Sequence, residues 1–180
     1  MKNEEIEEVD KFKKQIWKSN IYSRNTKIKI YNINVTPMLL YGCECWKINS
    51  TEIKKCEASQ NRCLRRVMKI HSPNTISNNQ LLKLSGTIKL DNEIKMRRWK
   101  YIGHIHRRDK GDTTKIALTC PPGGKQSRGR PKETWKRTVE REMREMGWKD
   151  WGAAEKMATE RPKWKSLCLA LCSTRNEEDR

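Results

Sequence analysis

The chain has 180 residues, 34% of them hydrophobic, and a formal net charge of +18. Residues 11–176 hold 38 of the 40 basic and 14 of the 22 acidic side chains, so this stretch alone carries +24. The thin apolar content allows only a modest core, and no apolar run approaches the roughly 20 residues of a membrane span. Cations at this density attract polyanions, so RNA or DNA is the expected partner, not a membrane or a small-molecule substrate.

Scarce glycine and proline, with apolar residues every three to four positions, predict an all-α assembly of about eight helices with one basic Pro/Gly loop. The first helix is predicted over residues 3–18. Ser23 is a candidate N-cap for a second helix over 24–35. Thr36 followed by Pro37 is typical of an N-cap and first helical position, so the helix is expected to restart there.

The third predicted helix spans residues 51–69 and is expected to open at Ser50. Its inward face would consist of Ile53, Cys56, Cys63, Leu64, Val67 and Met68. A break is expected at 71–74. A Ser-x-x-Gln capping box at 77–80 then predicts a short helix that ends at Gly86.

The fifth predicted helix is basic and is expected to be capped by Asp91. Its apolar residues at helical spacing would face inward, namely Ile94, Trp99, Ile102 and Ile105. Its cations would face outward, namely Lys95, Arg97, Arg98 and Lys100. Another helix is expected over 132–146, with Trp135, Val139 and Met143 inward. Asp150 would cap the last helical region, which Pro162 would interrupt.

These elements suggest five segments along the chain. Residues 1–70 and 71–119 would form two helical regions, the second more basic. Residues 120–131 would be a linker, because turn-forming residues coincide with positive charge there. Residues 132–175 would form a C-terminal helical region, followed by an acidic tail at 176–180.

The linker carries the sharpest basic motif, Arg-Gly-Arg-Pro at 128–131. An extended Arg-Gly-Arg segment has the form of an AT-hook core, which is narrow enough for the minor groove of A·T tracts. Candidate contacts to phosphates or the groove are Lys125, Arg128, Arg130, Lys132, Lys136 and Arg137. A solvated linker whose proline merely starts the next helix is the alternative interpretation.

A second basic surface is expected on the fifth helix and just beyond it. It comprises Lys95, Arg97, Arg98, Lys100, Arg107 and Arg108. Trp99 and Tyr101 are interleaved with these cations, and aromatic rings beside arginine can stack on unpaired bases. At helical spacing, however, Trp99 is more often a core residue.

No catalytic centre is expected, because two-metal chemistry needs closely spaced carboxylates and the aspartates of this chain are solitary. Cys43, Cys45, Cys56, Cys63 and His71 supply soft ligands but lack the paired spacing of a structural zinc site. We therefore expect core cysteines, no metal and no cofactor. A zinc protein stays an alternative that elemental analysis would decide.

The seven cysteines also bear on location. An odd number in a chain of this length and helical pattern is expected to be reduced, as in an intracellular protein. The acidic N-terminus lacks the apolar stretch of a secretory signal. Together these features predict a nuclear or cytoplasmic ribonucleoprotein component that is not secreted.

Several strings, in order, resemble one protein family. They are LLYGCECW at 39–46, RCLRRV at 62–67, RRWKYIGH at 97–104, the PGGK and RGRPK strings within 122–132, and the ATER, Trp and LCSTR elements within 158–175. The set is similar to the C-terminal region of endonuclease/reverse transcriptases from non-LTR (LINE-type) retrotransposons. It covers most of the chain, from about residue 10 to 175.

The resemblance implies a thumb-like helical region over 1–70 that would grip the template–product duplex behind a palm. It implies that the remainder is a tail that binds RNA or target DNA. The family's palm, with its Asp-Asp motif, and its endonuclease have no counterpart in this sequence, and Cys43 and Cys45 stand where the family usually has small or polar residues. No catalytic residue is therefore carried over, although a palm in the parent protein is an expected partner.

The leading hypothesis is a non-catalytic, nucleic-acid-binding fragment of such a reverse transcriptase. A second is a domesticated chromatin protein that binds DNA through the AT-hook-like loop. A third is a retrotransposon relic with no selected activity, which would bind polyanions through charge alone.

Overall fold

The computed structural model describes residues 15–47, 49–119 and 134–173. Within these ranges it contains nine α-helices, a further helical stretch over 15–18 and no strand, so the all-α prediction is confirmed. No helix in the described part of the chain is long and apolar enough to cross a membrane. The described residues divide into two compact units: unit 1 is 15–41 with 53–90, and unit 2 is 42–52, apart from residue 48, with 91–119 and 134–173.

The helices, in chain order, are short apart from two. They are α1 (Arg24–Ile30), α2 (Thr36–Leu39), α3 (Ser50–Met68), α4 (Asn78–Ser85), α5 (Leu90–His106), α6 (Thr113–Thr119), α7 (Trp135–Glu145), α8 (Trp151–Thr159) and α9 (Arg161–Ser173). A π-helical turn, Tyr31–Val35, joins α1 to α2, and Cys43–Cys45 form a 3-10 turn. The chain passes from one unit to the other between residues 41 and 42, 52 and 53, and 90 and 91. The sequence suggested a boundary at residue 70.

Unit 1 begins as the sequence predicted. Ser23 caps α1, because its hydroxyl accepts a hydrogen bond from the backbone N–H of Thr26. An α-helix begins at Thr36 with Pro37 in its first turn, as predicted, but Thr36 is the first helical residue and not the N-cap. Thr36 has helical dihedrals, and its N–H bonds to the carbonyl of Tyr31, five residues back. Pro37 cannot donate, and a π-helical turn immediately before it lets the chain continue as helix.

Helix α3 is the longest of the described helices, and a pair of reciprocal bonds starts it. The Asn49 side chain accepts from the N–H of Glu52, and the Glu52 carboxylate accepts from the N–H of Asn49. The cap is therefore Asn49 and not the predicted Ser50, which is the first helical residue. The inward face is confirmed at Leu64, Val67 and Met68, whereas Ile53, Cys56 and Cys63 are only half-buried.

The core of unit 1 is small. Leu64 and Met68 of α3 pack with Tyr31 from the π-helical turn and Leu81 from α4. The capping box at Ser77 and Gln80 is present in both directions, and Gly86 ends α4 with φ of 58°, as predicted. Local backbone signals and a few large apolar side chains therefore define this unit.

Unit 2 is organised around α5. The predicted inward face is confirmed, since Ile94, Trp99, Ile102 and Ile105 are all buried. The predicted cap at Asp91 is wrong: α5 starts one residue earlier, and the carboxylate of Asp91 pairs with Lys95 one turn later. Asp91 therefore acts in the first helical turn, where an acidic side chain is favourable, and not before it.

The C-terminal helices follow the prediction closely. Thr134 caps α7, which buries Val139 and Met143. Asp150 caps α8 through a 2.7 Å bond from the N–H of Ala153. The helix breaks at Glu160, two residues before Pro162, and α9 then begins.

Three tryptophans fill the centre of unit 2. The rings of Trp148 and Trp164 stack with centroids 5.2 Å apart, and Trp99 meets each of them at an angle. The indole N–H of Trp164 donates to the backbone carbonyl of Trp99 at 3.0 Å. A Cβ added to Gly103 would overlap the Trp164 ring, so α5 has glycine where α9 crosses it.

This close approach gives the first prediction. Gly103→Ala should destabilise unit 2 by about 1–3 kcal/mol, because the Trp164 ring would have to move within a filled core. Six of the seven tryptophans lie in unit 2, so urea denaturation followed by tryptophan fluorescence reports on this unit. Gly111→Ala is the matched control, since nothing lies within 4 Å of its added Cβ. Equal stability of the two variants would contradict the account.

A second prediction concerns His106, which is buried and leaves its Nε2 without a partner among the described residues. Burial lowers the pKa of His106, so below about pH 6.5 the unfolded chain binds a proton that the folded chain does not. The stability of unit 2 should therefore fall between pH 7 and about pH 5.5. His106→Phe should flatten this dependence, whereas His104→Gln, at an exposed position of α5, should keep it.

The pH range of this test separates the contribution of His106 to stability from the contributions of nearby acids. The pKa of Asp112 is lowered to about 2 by its hydrogen bonds to Thr114, and the bond from Lys115 lowers the pKa of Glu155. Their contributions are lost only at lower pH. Burial raises the pKa of Glu142, which acts in the opposite direction, so the quantity to measure is the difference between wild type and variant.

Candidate nucleic-acid interface

Two of the cations predicted to face outward from α5 are buried instead. Arg98 is 3% exposed and Lys95 is 6% exposed. Lys95 pairs with Asp91 at 3.1 Å, and Arg98 pairs with Glu142 of α7 at 2.6 Å. The prediction that they face outward is wrong, because acidic side chains within unit 2 take up both charges.

The Glu142 carboxylate is the centre of this buried arrangement. One oxygen accepts from the guanidinium of Arg98, and the other accepts from the indole N–H of Trp99 at 2.9 Å. Burial raises the pKa of Glu142, and the charges of Arg98 and Lys95 oppose that rise. Arg98 is therefore bound inside unit 2, where an external phosphate cannot reach it.

The remaining predicted cations of this region differ in their exposure and in their partners. Arg97 is half-buried and pairs with Glu93, and Arg107 donates to the backbone carbonyl of Ala158. Arg108 is exposed but contacts Asp112 and His104. Lys100 is exposed at the surface of α5. The structure therefore does not bring these residues together as one free basic surface.

The other predicted contacts lie on α7 or before it. Lys136 is half-buried and Arg137 is exposed, both in the first turn of α7. Lys125, Arg128, Arg130 and Lys132 lie outside the described residues. The AT-hook-like interpretation therefore stays a prediction from sequence.

Charge is distributed very unequally between the two units. The described residues of unit 2 include eighteen basic and twelve acidic side chains. Those of unit 1 include twelve basic side chains and a single acidic one, Glu57. The twelve are Lys18, Arg24, Lys27, Lys29, Lys54, Lys55, Arg62, Arg65, Arg66, Lys69, Lys83 and Lys89. Among the described residues, unit 1 therefore has the larger excess of cations over acids.

Much of this charge lies along one side of α3. At 100° per residue, five cations fall within an arc of about 120°, and the buried Leu64 and Val67 lie on the opposite side. The five are Lys54, Lys55, Arg62, Arg65 and Arg66, which we call the basic face of α3. All but the half-buried Arg65 are exposed. No acidic residue falls within this arc.

The basic face of α3 is long enough to follow a nucleic-acid backbone. Its ends, Lys54 and Arg66, are twelve positions apart, which corresponds to about 18 Å along a helix. One strand of a duplex carries a phosphate for about every 3.4 Å of duplex axis, so the face spans the axial length of about five phosphates. Arg65 is fixed at its edge, because its guanidinium donates to the Ile76 carbonyl at 3.2 Å and to the Asn78 side chain at 2.7 Å.

This face was not among the predicted binding residues, although its pattern is present in the sequence. Arg62, Arg65 and Arg66 recur at helical spacing opposite an apolar stripe. The RCLRRV string at 62–67 that contains them resembles a family motif, and its apolar positions predict core residues. A helical projection of charge, set beside that of apolar residues, would have identified the face.

The described residues offer no metal centre. Among them, no group of three or more His, Cys, Asp or Glu side chains is placed to hold a metal ion. Cys43 is buried while Cys45 is exposed, so the two point in different directions from their 3-10 turn. Burial raises the pKa of the Cys43 thiol to about 11, which keeps it protonated near neutral pH.

Comparison with known proteins identifies no relative. No protein-family model, curated protein or solved structure matches this chain. What the protein does must therefore be inferred from the chain itself.

The buried ion pair gives a third prediction. Arg98→Met should destabilise unit 2 by about 3–5 kcal/mol, because the Glu142 carboxylate would stay buried without its counter-charge. Arg97→Met is the matched control: its pair with Glu93 is more exposed and should contribute less than about 1 kcal/mol. Urea denaturation measures both. If Arg98→Met lowers the free energy of unfolding no more than the control does, the Arg98–Glu142 pair does not stabilise unit 2 as described above.

Proposed function

We propose that this chain is a non-catalytic nucleic-acid-binding protein, and that the basic face of α3 is its principal contact with the phosphate backbone. The observation that carries the proposal is the excess of cations among the described residues of unit 1, where twelve cations accompany one acid. A polyanion that meets such a surface releases condensed counterions, which drives binding.

The placement of the charge supports binding at a specific surface and not a general attraction by net charge. Four of the five cations on the basic face of α3 are exposed, and the opposite side of the helix is packed in the core. The helix therefore presents its charges on a fixed scaffold, which positions several contacts at once. By contrast, six of the described cations of unit 2 are held in ion pairs.

The resemblance to non-LTR retrotransposon reverse transcriptases supports the same proposal. In that family, the region similar to residues 1–70 would grip the template–product duplex, and α3 lies within this region. We propose on this basis that the chain corresponds to the C-terminal part of such an enzyme, a part that holds nucleic acid and leaves polymerisation to a palm.

The fourth prediction tests the proposal by the dependence of binding on salt. A variant in which Lys54, Lys55, Arg62 and Arg66 are changed to Gln should bind RNA and duplex DNA at least about tenfold more weakly than wild type. The slope of log K against log[salt] should become shallower by about three to four, since each phosphate contact contributes about one. Fluorescence anisotropy at several salt concentrations measures both quantities.

The matched control removes the same charge from unit 2. Arg144, Lys149, Lys156 and Arg161 are exposed, and their change to Gln should reduce the slope by less than half as much. Circular dichroism melts would verify that both variants stay folded. Equal losses in the two variants would show that net charge alone attracts the nucleic acid. A wild-type slope near zero would rule out the proposal altogether.

A further inference from the structure

Unit 1 contains a cavity of about 210 Å³ whose wall is basic. Arg24, Lys27 and Lys69 line it together with the polar side chains of Ser19 and Asn20, and none of its lining residues in the described part of the chain is acidic. One water occupies about 30 Å³ in the liquid, so the cavity has room for a group the size of a phosphate. It lies outside every residue predicted from sequence as a binding site.

The cations in this cavity keep their charge available. Lys27 is 3% exposed and donates to the backbone carbonyls of Ser19 at 2.6 Å and Trp17 at 3.0 Å. Backbone carbonyls do not neutralise its charge, and an ammonium has three donors. Lys69 donates to the Asn20 side chain at 2.8 Å, and Arg24 is exposed at the rim. An anion entering the cavity would therefore meet three positive charges.

An aromatic ring at the same cavity narrows the class of ligand. Tyr22 lines the cavity and keeps 44% of its surface exposed. A cationic groove beside an exposed aromatic ring is the arrangement on which unpaired bases stack while the backbone is held electrostatically. In a duplex the bases are stacked on each other and cannot reach the ring, so Tyr22 favours a single strand.

Lys69 adds a link to the basic face of α3. It follows the last residue of α3 and ends the helix with φ of 56°, a conformation in which glycine is usual. The N–H of Ile70 bonds to the carbonyl of Arg65, and that of Lys69 bonds to Arg66, as in a Schellman motif. A lysine at this position is strained, yet it places an ammonium in the cavity wall.

We infer that this cavity, with Tyr22, Arg24 and Lys69, is a single-strand subsite: it holds one phosphate of an RNA or DNA strand while the adjoining unpaired base stacks on Tyr22. The inference rests on the proposed function, because the rest of the strand would continue along the basic face of α3. It adds to that function a preference for unpaired over duplex nucleic acid.

The fifth prediction is tested with the full chain, a short labelled single-stranded RNA and the matching duplex. Tyr22→Leu should weaken binding to the single strand by about five- to a hundredfold, the range typical of one stacked base. Binding to the duplex should change by less than about twofold, and Tyr22→Phe should retain binding to the single strand. Because Tyr22 is exposed, neither variant is expected to unfold the protein.

The variant Lys69→Gly distinguishes a role of Lys69 in binding from a role in folding. Glycine relieves the positive φ, so the thermal unfolding midpoint should be equal to or above that of wild type. Single-strand binding should nevertheless weaken, and its salt slope should become shallower by about one. A structural role for Lys69 alone would move the midpoint downward and leave the salt slope unchanged.

The outcomes distinguish the subsite from the proposed function. If Tyr22→Leu or Lys69→Gly binds the single strand as wild type does, while neutralising the basic face of α3 weakens binding, the subsite is wrong and the proposed function stands. If the wild-type chain binds neither probe in a salt-dependent manner, both are wrong. Equal losses of single-strand and duplex binding in Tyr22→Leu would also overturn the subsite.

Discussion

A basic side chain is most available to an external phosphate when no internal carboxylate holds it, above all when that pair would be buried. In unit 2 that condition often fails: Glu142 binds Arg98 at 2.6 Å and Trp99 at 2.9 Å, and Asp91 holds Lys95. In the described part of unit 1, Glu57 is the single acid, so carboxylates within that part can pair with few of its twelve cations. Within the described residues, the distribution of acids therefore leaves the basic face of α3 with fewer carboxylate partners than α5 has.

Helices α3 and α5 show why two helices that are both basic in sequence do not expose their cations to the same extent. Helix α3 buries Leu64 and Val67 on one side and places its cations on the other, as an amphipathic helix does. Helix α5 buries Trp99 and Ile102, but also Lys95 and Arg98, because neighbouring helices surround it on more than one side. The prediction of its apolar stripe is confirmed, whereas the prediction of outward-facing cations is wrong at Lys95 and Arg98 and confirmed at Lys100.

The sequence predicted what local chemistry determines. The caps at Ser23 and Asp150 and the capping box at Ser77 depend on residues three positions apart, and all are present. It did not predict the Arg98–Glu142 pair, whose members are 44 residues apart, or the π-helical turn before Pro37. The cavity near Tyr22 was equally hidden, because it is formed by residues 19–27 together with 67–69. Such sites depend on tertiary contacts that periodicity does not encode.

The most direct test of the account is lysine footprinting by acetylation and mass spectrometry, with and without bound nucleic acid. The account predicts that Lys54, Lys55 and Lys69 of unit 1 become protected, while the exposed Lys149, Lys156 and Lys165 of unit 2 stay reactive. Protection confined to the lysines of unit 2, or spread equally over both units, would contradict the claim that the basic face of α3 is the principal contact.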